Sequence, residues 1–160
     1  MALGNNIILS SEPRGVFKEG YLTGALLPGT LLQLDVSETP IAGRHWWEAY
    51  APGTDGEQRL VAVLLEDALQ GKTAADAYVT GNRCFIYCPA PGEELNVRVS
   101  AAGTGTGNAI AIGAVLTVNT GDGLLIATTS TPEMEPFVAM EAVSDVVAAG
   151  TLVHCMYTGK

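Results

Sequence analysis

Hydrophobic and polar residues alternate in short runs along most of this chain, and the runs are rich in β-branched and aromatic residues. Turn-forming stretches such as "PGTDGE", "APGEE" and "TGDG" separate them. Period-two alternation bounded by turn residues is typical of β-strands. The pattern predicts nine strands, namely "TLLQLDV", "HWWEAYA", "RLVAVLL", "RCFIYC", "LNVRVS", "AIAIGAVLTV", "LLIATT", "FVAMEAV" and "TLVHCMY".

Helical signals are weak by comparison. One or two helical turns are predicted near residues 66–70, where Gly71 would end them, and a single turn is predicted in "SDVVAAG", ending at Gly150. Glycine is the residue that most often ends a helix in this way. The chain is therefore expected to be all-β.

The order of the predicted elements repeats along the chain. Residues 28–88 contain "PGTLLQL", "TDGE", "RLVAVLLEDA" and "GNRCFIYC", and residues 112–157 contain "IGAVLTV", "GDGL", "PFVAMEAVSD" and "GTLVHCMY". This echo predicts a repeated β unit whose two open half-sheets close on each other to satisfy their edges. Few identities support it, so chance convergence of strand and turn patterns is the alternative.

Composition narrows the classes of partner. The chain has 160 residues, 48% of them hydrophobic, which suits one domain with a core. No apolar run reaches the roughly 18 residues of a membrane helix, and no secretory leader is visible, so we expect no membrane partner and synthesis in a cytoplasm. The net charge is −9, with no basic residue between Arg98 and Lys160. Such a surface repels phosphate backbones, so no nucleic-acid partner is expected.

The three cysteines are expected to be buried thiols in a reducing compartment. Cys84, Cys88 and Cys155 lack the C-x-x-C spacing of a metal site, and free cysteine usually packs as a small hydrophobic residue. His154 adjoins Cys155, but neighbouring residues on a strand point to opposite faces. The two therefore cannot form a catalytic dyad directly.

The glycine-rich stretch "AAGTGTGNAIAIG" resembles a phosphate-binding loop only at first sight. Phosphate-binding glycines are followed by a helix whose first amides point at the phosphate. Here Gly103, Gly105 and Gly107 are followed by the strand pattern "NAIAIGAVLTV". The stretch is predicted to be a loop that leads into a strand, and no cofactor-binding residues are predicted.

Pairs of carboxylates do not form a recognisable site either. Glu93 and Glu94 follow "PAPG" and are expected to be solvated loop charges. Glu133 and Glu135, in "TPEMEP", could approach a cation together with Asp122, but they lack the spacing of a calcium loop. No catalytic and no metal-binding residues are predicted.

Two tryptophans adjoin each other in "GRHWWEAY". On a strand, one of Trp46 and Trp47 must face the core and the other the opposite side. The outward indole could cover a barrel end, anchor a protein contact or stack on a sugar.

Residues 1–20 precede the repeat and contain two apolar patches that are too short to build a core. They form either a barrel strand or an arm that becomes ordered on a partner, and we favour the arm, with residues 21–160 as the barrel domain. An extended arm can add a strand to a neighbouring sheet. The candidate interface residues are Ile7, Ile8, Leu9, Arg14, Val16, Phe17, Trp46 and Trp47.

The stretches "GYLTGALLPGTLLQL", "LVAVLLEDA" and "VTGNRCFIYC", together with a "DG" turn and the ending "AAGTLVHCMY", resemble the head decoration, or cement, proteins of tailed bacteriophages. The resemblance implies a small β-barrel or β-tulip-like sandwich that forms a homotrimer at three-fold or quasi-three-fold positions. It also implies that the protein binds the major capsid protein on the outside of an expanded head and locks neighbouring subunits against internal DNA pressure. The protein would be made in the host bacterial cytoplasm.

Two other functions are open at this stage. A carbohydrate- or ligand-binding β module would use Trp46, Trp47 and Tyr50. An acidic β-barrel hydrolase would use cysteines or carboxylates.

Overall fold

A computed structural model describes residues 6–9, 12–51, 61–101, 109–119, 122–127, 137–147 and 149–159. Within these ranges the chain forms ten strands and one short 3-10 turn, which confirms the all-β prediction. The strands are β1 (Val16–Leu22), β2 (Leu31–Asp35), β3 (Trp46–Ala49), β4 (Ala62–Leu64), β5 (Arg83–Cys88), β6 (Glu94–Val99), β7 (Val115–Val118), β8 (Leu125–Ala127), β9 (Phe137–Ala139) and β10 (Thr151–Tyr157).

The strands form two closed barrels of five strands each. Barrel 1 has the order β1-β3-β2-β4-β5, and barrel 2 has the order β6-β8-β7-β9-β10. In each barrel the first strand runs parallel to the third, and all other neighbouring strands are antiparallel. The two barrels therefore share one topology, strand for strand.

Individual hydrogen bonds repeat as well. The Gly29 N–H donates to the Leu64 carbonyl at 2.7 Å, and the Gly113 N–H donates to the Ala139 carbonyl at 2.8 Å. The observed units run over residues 16–88 and 94–157, so each begins one strand before the blocks 28–88 and 112–157 of the sequence repeat. Isolated bridges also correspond, Leu26 with Tyr78 in barrel 1 and Ile110 with Val143 in barrel 2.

The extended arm predicted for residues 1–20 is not shown, because residues 16–20 belong to β1. This strand pairs with β5 from Val16 opposite Cys88 to Tyr21 opposite Arg83. Its inward positions include Gly20, where a Cβ atom would lie 2.4 Å from Cδ1 of Trp47. Only glycine leaves room for this indole, and the missing apolar side chain hides the strand from a pattern search.

The first described residues also lie on the chain's own barrels. Ile8 forms an isolated bridge with Leu95 of β6. The Leu9 N–H donates to the Glu94 carbonyl at 3.1 Å, and the Asn96 N–H donates to the Ile7 carbonyl at 2.7 Å. Ile7 is fully buried, so its apolar surface contributes to the core.

The two helical predictions have different outcomes. The 3-10 turn Ala68–Gln70 lies where a short helix was expected and ends at Gly71, which has a φ of 70°. Around "SDVVAAG", the described residues form no helix. The Gly150 N–H donates to the Val147 carbonyl at 3.0 Å and closes a turn there.

Buried hydrophobic side chains form two clusters, because successive residues of a strand point to opposite faces. Inward side chains of barrel 1 form the first, namely Leu22, Leu32, Trp47, Ala62, Leu64, Tyr78, Cys84, Ile86 and Cys88. Outward residues of the same strands, among them Leu31, Val63 and Tyr87, belong to the second cluster, which continues through the interior of barrel 2. The contact between the barrels is thus part of a continuous core.

Arg98 of β6 lies in the contact between the barrels and is 8% exposed. Its guanidinium donates to the carbonyls of Pro28 at 2.8 Å and Ala74 at 2.7 Å in barrel 1, and to that of Gly150 at 2.9 Å in barrel 2. Its own N–H donates to the Gly29 carbonyl at 2.9 Å. Burial lowers the pKa of Arg98, but a guanidinium stays charged in proteins. Charged hydrogen bonds therefore join the barrels.

Gly123 makes a second backbone contact between the barrels. The Leu31 N–H donates to its carbonyl at 2.8 Å, and its own N–H donates to the Tyr50 carbonyl at 3.2 Å. A Cβ atom on Gly123 would lie 2.4 Å from the Leu31 carbonyl oxygen, and its φ is 66°. The position requires glycine on both counts.

Glu93 is not the solvated loop charge that the sequence suggested, because it is 2% exposed. Its carboxylate accepts hydrogen bonds from the N–H groups of Arg14, Gly15 and Ala90 and from the Tyr87 hydroxyl. Burial alone would raise the pKa of Glu93, but these hydrogen bonds outweigh it and the pKa lies below its ordinary value of 4.5. The carboxylate thus ties the segment before β1 to the β5–β6 connection.

Replacing Arg98 by alanine should lower the free energy of unfolding by about 3 kcal/mol, because hydrogen bonds of a charged group are lost and buried carbonyls remain unpaired. Arg44→Ala is the matched control, since Arg44 pairs with Glu19 on the surface and such a pair contributes about 1 kcal/mol or less. Denaturant unfolding measures both. Equal losses in the two variants would contradict the role of Arg98.

The Glu93 clamp should make stability depend on pH. A carboxyl whose pKa is lowered in the folded state stabilises the protein above its unfolded pKa, and this contribution is lost as the pH falls through the lowered value. The unfolding free energies of the native chain and of Glu93→Gln should therefore differ most near neutral pH and converge in acid, below pH 4.5. A difference that does not change with pH would exclude the clamp.

Candidate interaction surface

The outer face of barrel 1 carries a row of aromatic side chains. Phe17, Glu19 and Tyr21 alternate along β1 and share this face. The Phe17 ring lies 4.8 Å from that of Tyr87, and the Tyr21 ring lies 5.4 Å from that of Trp46. Large aromatic surfaces of this kind are enriched at protein contacts.

A groove of about 450 Å³ lies beside Phe17 on this face. The 3-10 turn forms one wall, capped by Asp67, whose side chain accepts the Gln70 N–H. Phe17 is 59% exposed and Leu69 on the turn is 86% exposed. An apolar groove with charged residues at its edge marks a site of protein association. Its lining residues are Phe17, Lys18, Glu19, Leu65, Glu66, Ala68, Leu69 and Phe85.

Glu19 organises the charges at the edge of the groove. Its carboxylate pairs with Arg83 and with Arg44, the latter at 3.0 Å. Hydrogen bonds from Arg83 and then from Arg44 lower the pKa of Glu19. The edge therefore presents an ionised carboxylate between two guanidinium groups, a polar rim around an apolar centre.

The structure brings some of the predicted interface residues together and separates others. Val16 and Phe17 are exposed at one end of β1, and the Arg14 guanidinium nearby donates to the Pro91 carbonyl at 3.1 Å. Trp46 is half-buried on the outer face, where its indole N–H donates to the Thr39 carbonyl at 3.1 Å. Trp47 is 2% exposed inside barrel 1, so one indole faces the core and the other faces outward, as strand alternation predicted.

The predicted patch of Ile7, Ile8 and Leu9 lies away from this face, beside β6. Ile7 is fully buried, and Ile8 and Leu9 are half-buried. These three residues contribute to the contact between the N-terminal segment and barrel 2 in this structure.

Sequence reasoning missed Leu69 and Phe85, which complete the groove. Leu69 lies in "EDALQG", where a single leucine among polar residues gives no sign of exposure. Phe85 lies in β5, where alternation did indicate one outward face, opposite to that of Cys84 and Ile86. Their meeting with Phe17 depends on the pairing of β1 with β5, which the local pattern does not contain.

The three cysteines and His154 do not form a catalytic dyad in this structure, because the thiols are buried and the histidine faces outward. Burial raises the pKa of Cys84 to about 12 and also raises the pKa values of Cys88 and Cys155, so the thiols resist ionisation. Nε2 of His154 lies 2.9 Å from Oε2 of Glu94 on the outer face of barrel 2. Cys155 points into the core on the opposite side of the strand.

Several sequence candidates lie outside the described residues, namely Gly103, Gly105, Gly107, Glu133 and Glu135. Across the described ranges, no group of three or more His, Cys, Asp or Glu side chains is placed to hold a metal ion. In the same part of the chain, no helix is long and apolar enough to cross a membrane.

No protein-family model matches the chain, and no curated protein sequence matches it. Among solved structures, the chain is similar to the crystal structure of the head fiber gp8.5 N base in bacteriophage phi29. The fold is similar to that of a phage head fiber base. The likeness has a TM-score of 0.54 and covers 91% of this chain and 96% of the head fiber base. Sequence identity to that base is 14%, so the likeness concerns the fold alone.

Fluorescence can test the placement of the two indoles. Trp47→Phe leaves Trp46, whose emission should be red-shifted and readily quenched by acrylamide because the indole is partly exposed. Trp46→Phe leaves Trp47, whose emission should be blue-shifted and weakly quenched. Circular dichroism controls for folding of both variants, and the reverse order of quenching would contradict the structure.

Proposed function

We propose that this protein is a structural component of a tailed-phage head that binds the outer surface of the expanded capsid. In this role it cements neighbouring major capsid subunits as a homotrimer and stabilises the head against DNA pressure. The observation that carries the proposal is the similarity of the two-barrel fold to a phage head fiber base over nearly the whole chain. The sequence resemblance to head decoration proteins supports the same class of function.

The groove on barrel 1 is the surface that we assign to the capsid. Phe17 and Leu69 offer apolar area that this chain leaves uncovered, and burial of such area provides most of the free energy of association. Paired charges of Glu19 and Arg83 at the edge would fix the orientation of the bound subunit. The partner predicted by this chemistry is an apolar segment of the major capsid protein flanked by charges of both signs.

The tight packing between the two barrels fits a protein that must resist mechanical force. A cement protein stabilises a shell only if it resists deformation while it bridges subunits. The continuous core and the buried Arg98 make the contact between the barrels resemble a protein interior. Acidic composition suits an exterior position, because a net charge of −9 repels the packaged DNA.

The alternative of a carbohydrate-binding module is less favoured by the structure. The sequence hypothesis rested on Trp46, Trp47 and Tyr50. Trp47 is 2% exposed and Tyr50 is 5% exposed, so only Trp46 is left to stack on a sugar.

Leu69→Asp should weaken binding to expanded capsids by tenfold or more, because it removes an apolar contact and places a charge in the groove, and about 1.4 kcal/mol suffices for that factor. Co-sedimentation with expanded capsids measures occupancy against concentration. Val36→Asp is the matched control, since Val36 is 84% exposed and lies outside the groove.

Heads that lack the protein should also release DNA at a lower temperature, and addition of the native chain should restore the release temperature. Saturation of capsids by Leu69→Asp at native affinity would refute the groove as the contact. Failure of the native chain to bind capsids at all would refute the proposed function.

A further inference from the structure

The duplication allows each residue of barrel 1 to be matched with one of barrel 2. The corresponding hydrogen bonds of Gly29 and Gly113 match Pro28 with Ile112 and Leu31 with Val115. The same alignment matches β4 with β9, so that Val63 corresponds to Val138 and Leu65 to Met140. The parallel pairs Leu22–Trp47 and Val99–Leu125 match Tyr21 with Arg98.

This comparison identifies a face that is covered in barrel 1 and uncovered in barrel 2. In barrel 1 it packs against barrel 2, and Leu31 and Val63 on it are at most 1% exposed. In barrel 2 the corresponding face presents Ile112, 70% exposed, and Met140, 37% exposed. The half-buried Val115 and Val138 complete it.

The uncovered face has kept the apolar character of its buried counterpart. An outer strand face in water normally carries polar side chains that alternate with the inward apolar ones. Here each of the outward positions Ile112, Val115, Val138 and Met140 is apolar. Contiguous exposed apolar surface of this kind marks a protein contact.

The other face of this contact also has an uncovered counterpart, which lies on barrel 1. Barrel 2 covers barrel 1 with the face that contains Arg98, and the matching residue of barrel 1 is Tyr21. Tyr21 lies half-buried beside Trp46, and the Arg83 side chain next to them is 51% exposed. Aromatic residues and Arg are enriched in protein contacts.

The accessible cations of the described residues lie on one side of this contact. Among the described residues, every exposed or half-buried Lys and Arg lies within residues 12–88, and the single basic residue of barrel 2, Arg98, is buried. Barrel 2 presents Glu141 directly after Met140, and Asp145 follows on its surface. Barrel 1 also carries many acidic residues, and Arg83 is paired with Glu19, so single guanidinium groups rather than net charge could pair with a carboxylate of a second copy.

We propose that the Ile112–Met140 face of one copy docks on the Tyr21–Trp46–Arg83 face of a second copy, which repeats between chains the contact that joins the barrels within a chain. The two contacts differ in one respect. The Arg98 N–H donates across the internal contact, whereas the Tyr21 N–H donates to His45 of its own barrel. Side chains therefore dominate the contact between copies.

Such a contact is head-to-tail, because each copy uses a different face toward each neighbour. Head-to-tail contacts close into a ring or continue as a filament. Closure after three copies gives the homotrimer of the proposed function, so the inference deepens that proposal while its test needs no capsid.

Ile112→Asp disables the barrel 2 face and Tyr21→Glu disables the barrel 1 face. Each variant alone should be monomeric by sedimentation velocity and native mass spectrometry, while the native chain assembles as its concentration rises. An equimolar mixture of the two variants should form a 1:1 dimer and nothing larger, because one intact contact remains. Trp46→Asp should replace Tyr21→Glu in the mixture with the same result, and Trp46 does not line the groove assigned to the capsid.

Val147→Asp is the matched control, since Val147 is 50% exposed on barrel 2 outside the docking face, and it should assemble like the native chain. The proposal is overturned if the native chain is monomeric at its highest attainable concentration. It is also overturned if the single variants assemble or if the mixture stays monomeric. Capsid binding by the monomeric variants would then still be measurable, so failure here is distinguishable from failure of the proposed function.

Discussion

The buried guanidinium of Arg98 joins the two barrels, and their relative orientation depends on it. No carboxylate among the described residues pairs with Arg98, and its guanidinium donates to carbonyl oxygens of both barrels. This is possible only if Pro28 and Ala74 of barrel 1 lie at fixed places on the surface of barrel 2. Desolvated charge is costly unless it is fully hydrogen-bonded, so this requirement restricts the barrels to one relative orientation, which the close approach of Gly123 to Leu31 also demands.

The two barrels share one topology, but their outer faces differ. The position filled by Arg98 in barrel 2 is filled by Tyr21 in barrel 1, and the apolar groove position Phe85 corresponds to His154, which pairs with Glu94. Barrel 1 is therefore aromatic at two outer positions where barrel 2 carries Arg98 and His154.

The sequence pattern predicted the interior of this fold far better than its surfaces. "RCFIYC" and "TLVHCMY" coincide with β5 and β10, because both strands alternate strongly between a core face and an outer face. The first strand was missed because Gly20 occupies an inward position beside the Trp47 indole, a tertiary requirement that no local window contains. Glu93 was misread for the same reason, since its hydrogen-bond donors are Arg14 and Gly15, far away in sequence.

The groove could not be predicted from the local sequence either. Leu69 is held in solvent by a turn whose cap and end, Asp67 and Gly71, are visible in the sequence, yet its neighbours Phe17 and Phe85 come from two strands that only the barrel register brings together. The sequence offered no catalytic motif that would direct attention to particular residues. The candidate contact residues are apolar side chains that the core does not use, and these can be recognised only after the core has been assigned. The repeated topology helps with this assignment, because a face that is buried in one barrel can be compared with the corresponding exposed face of the other.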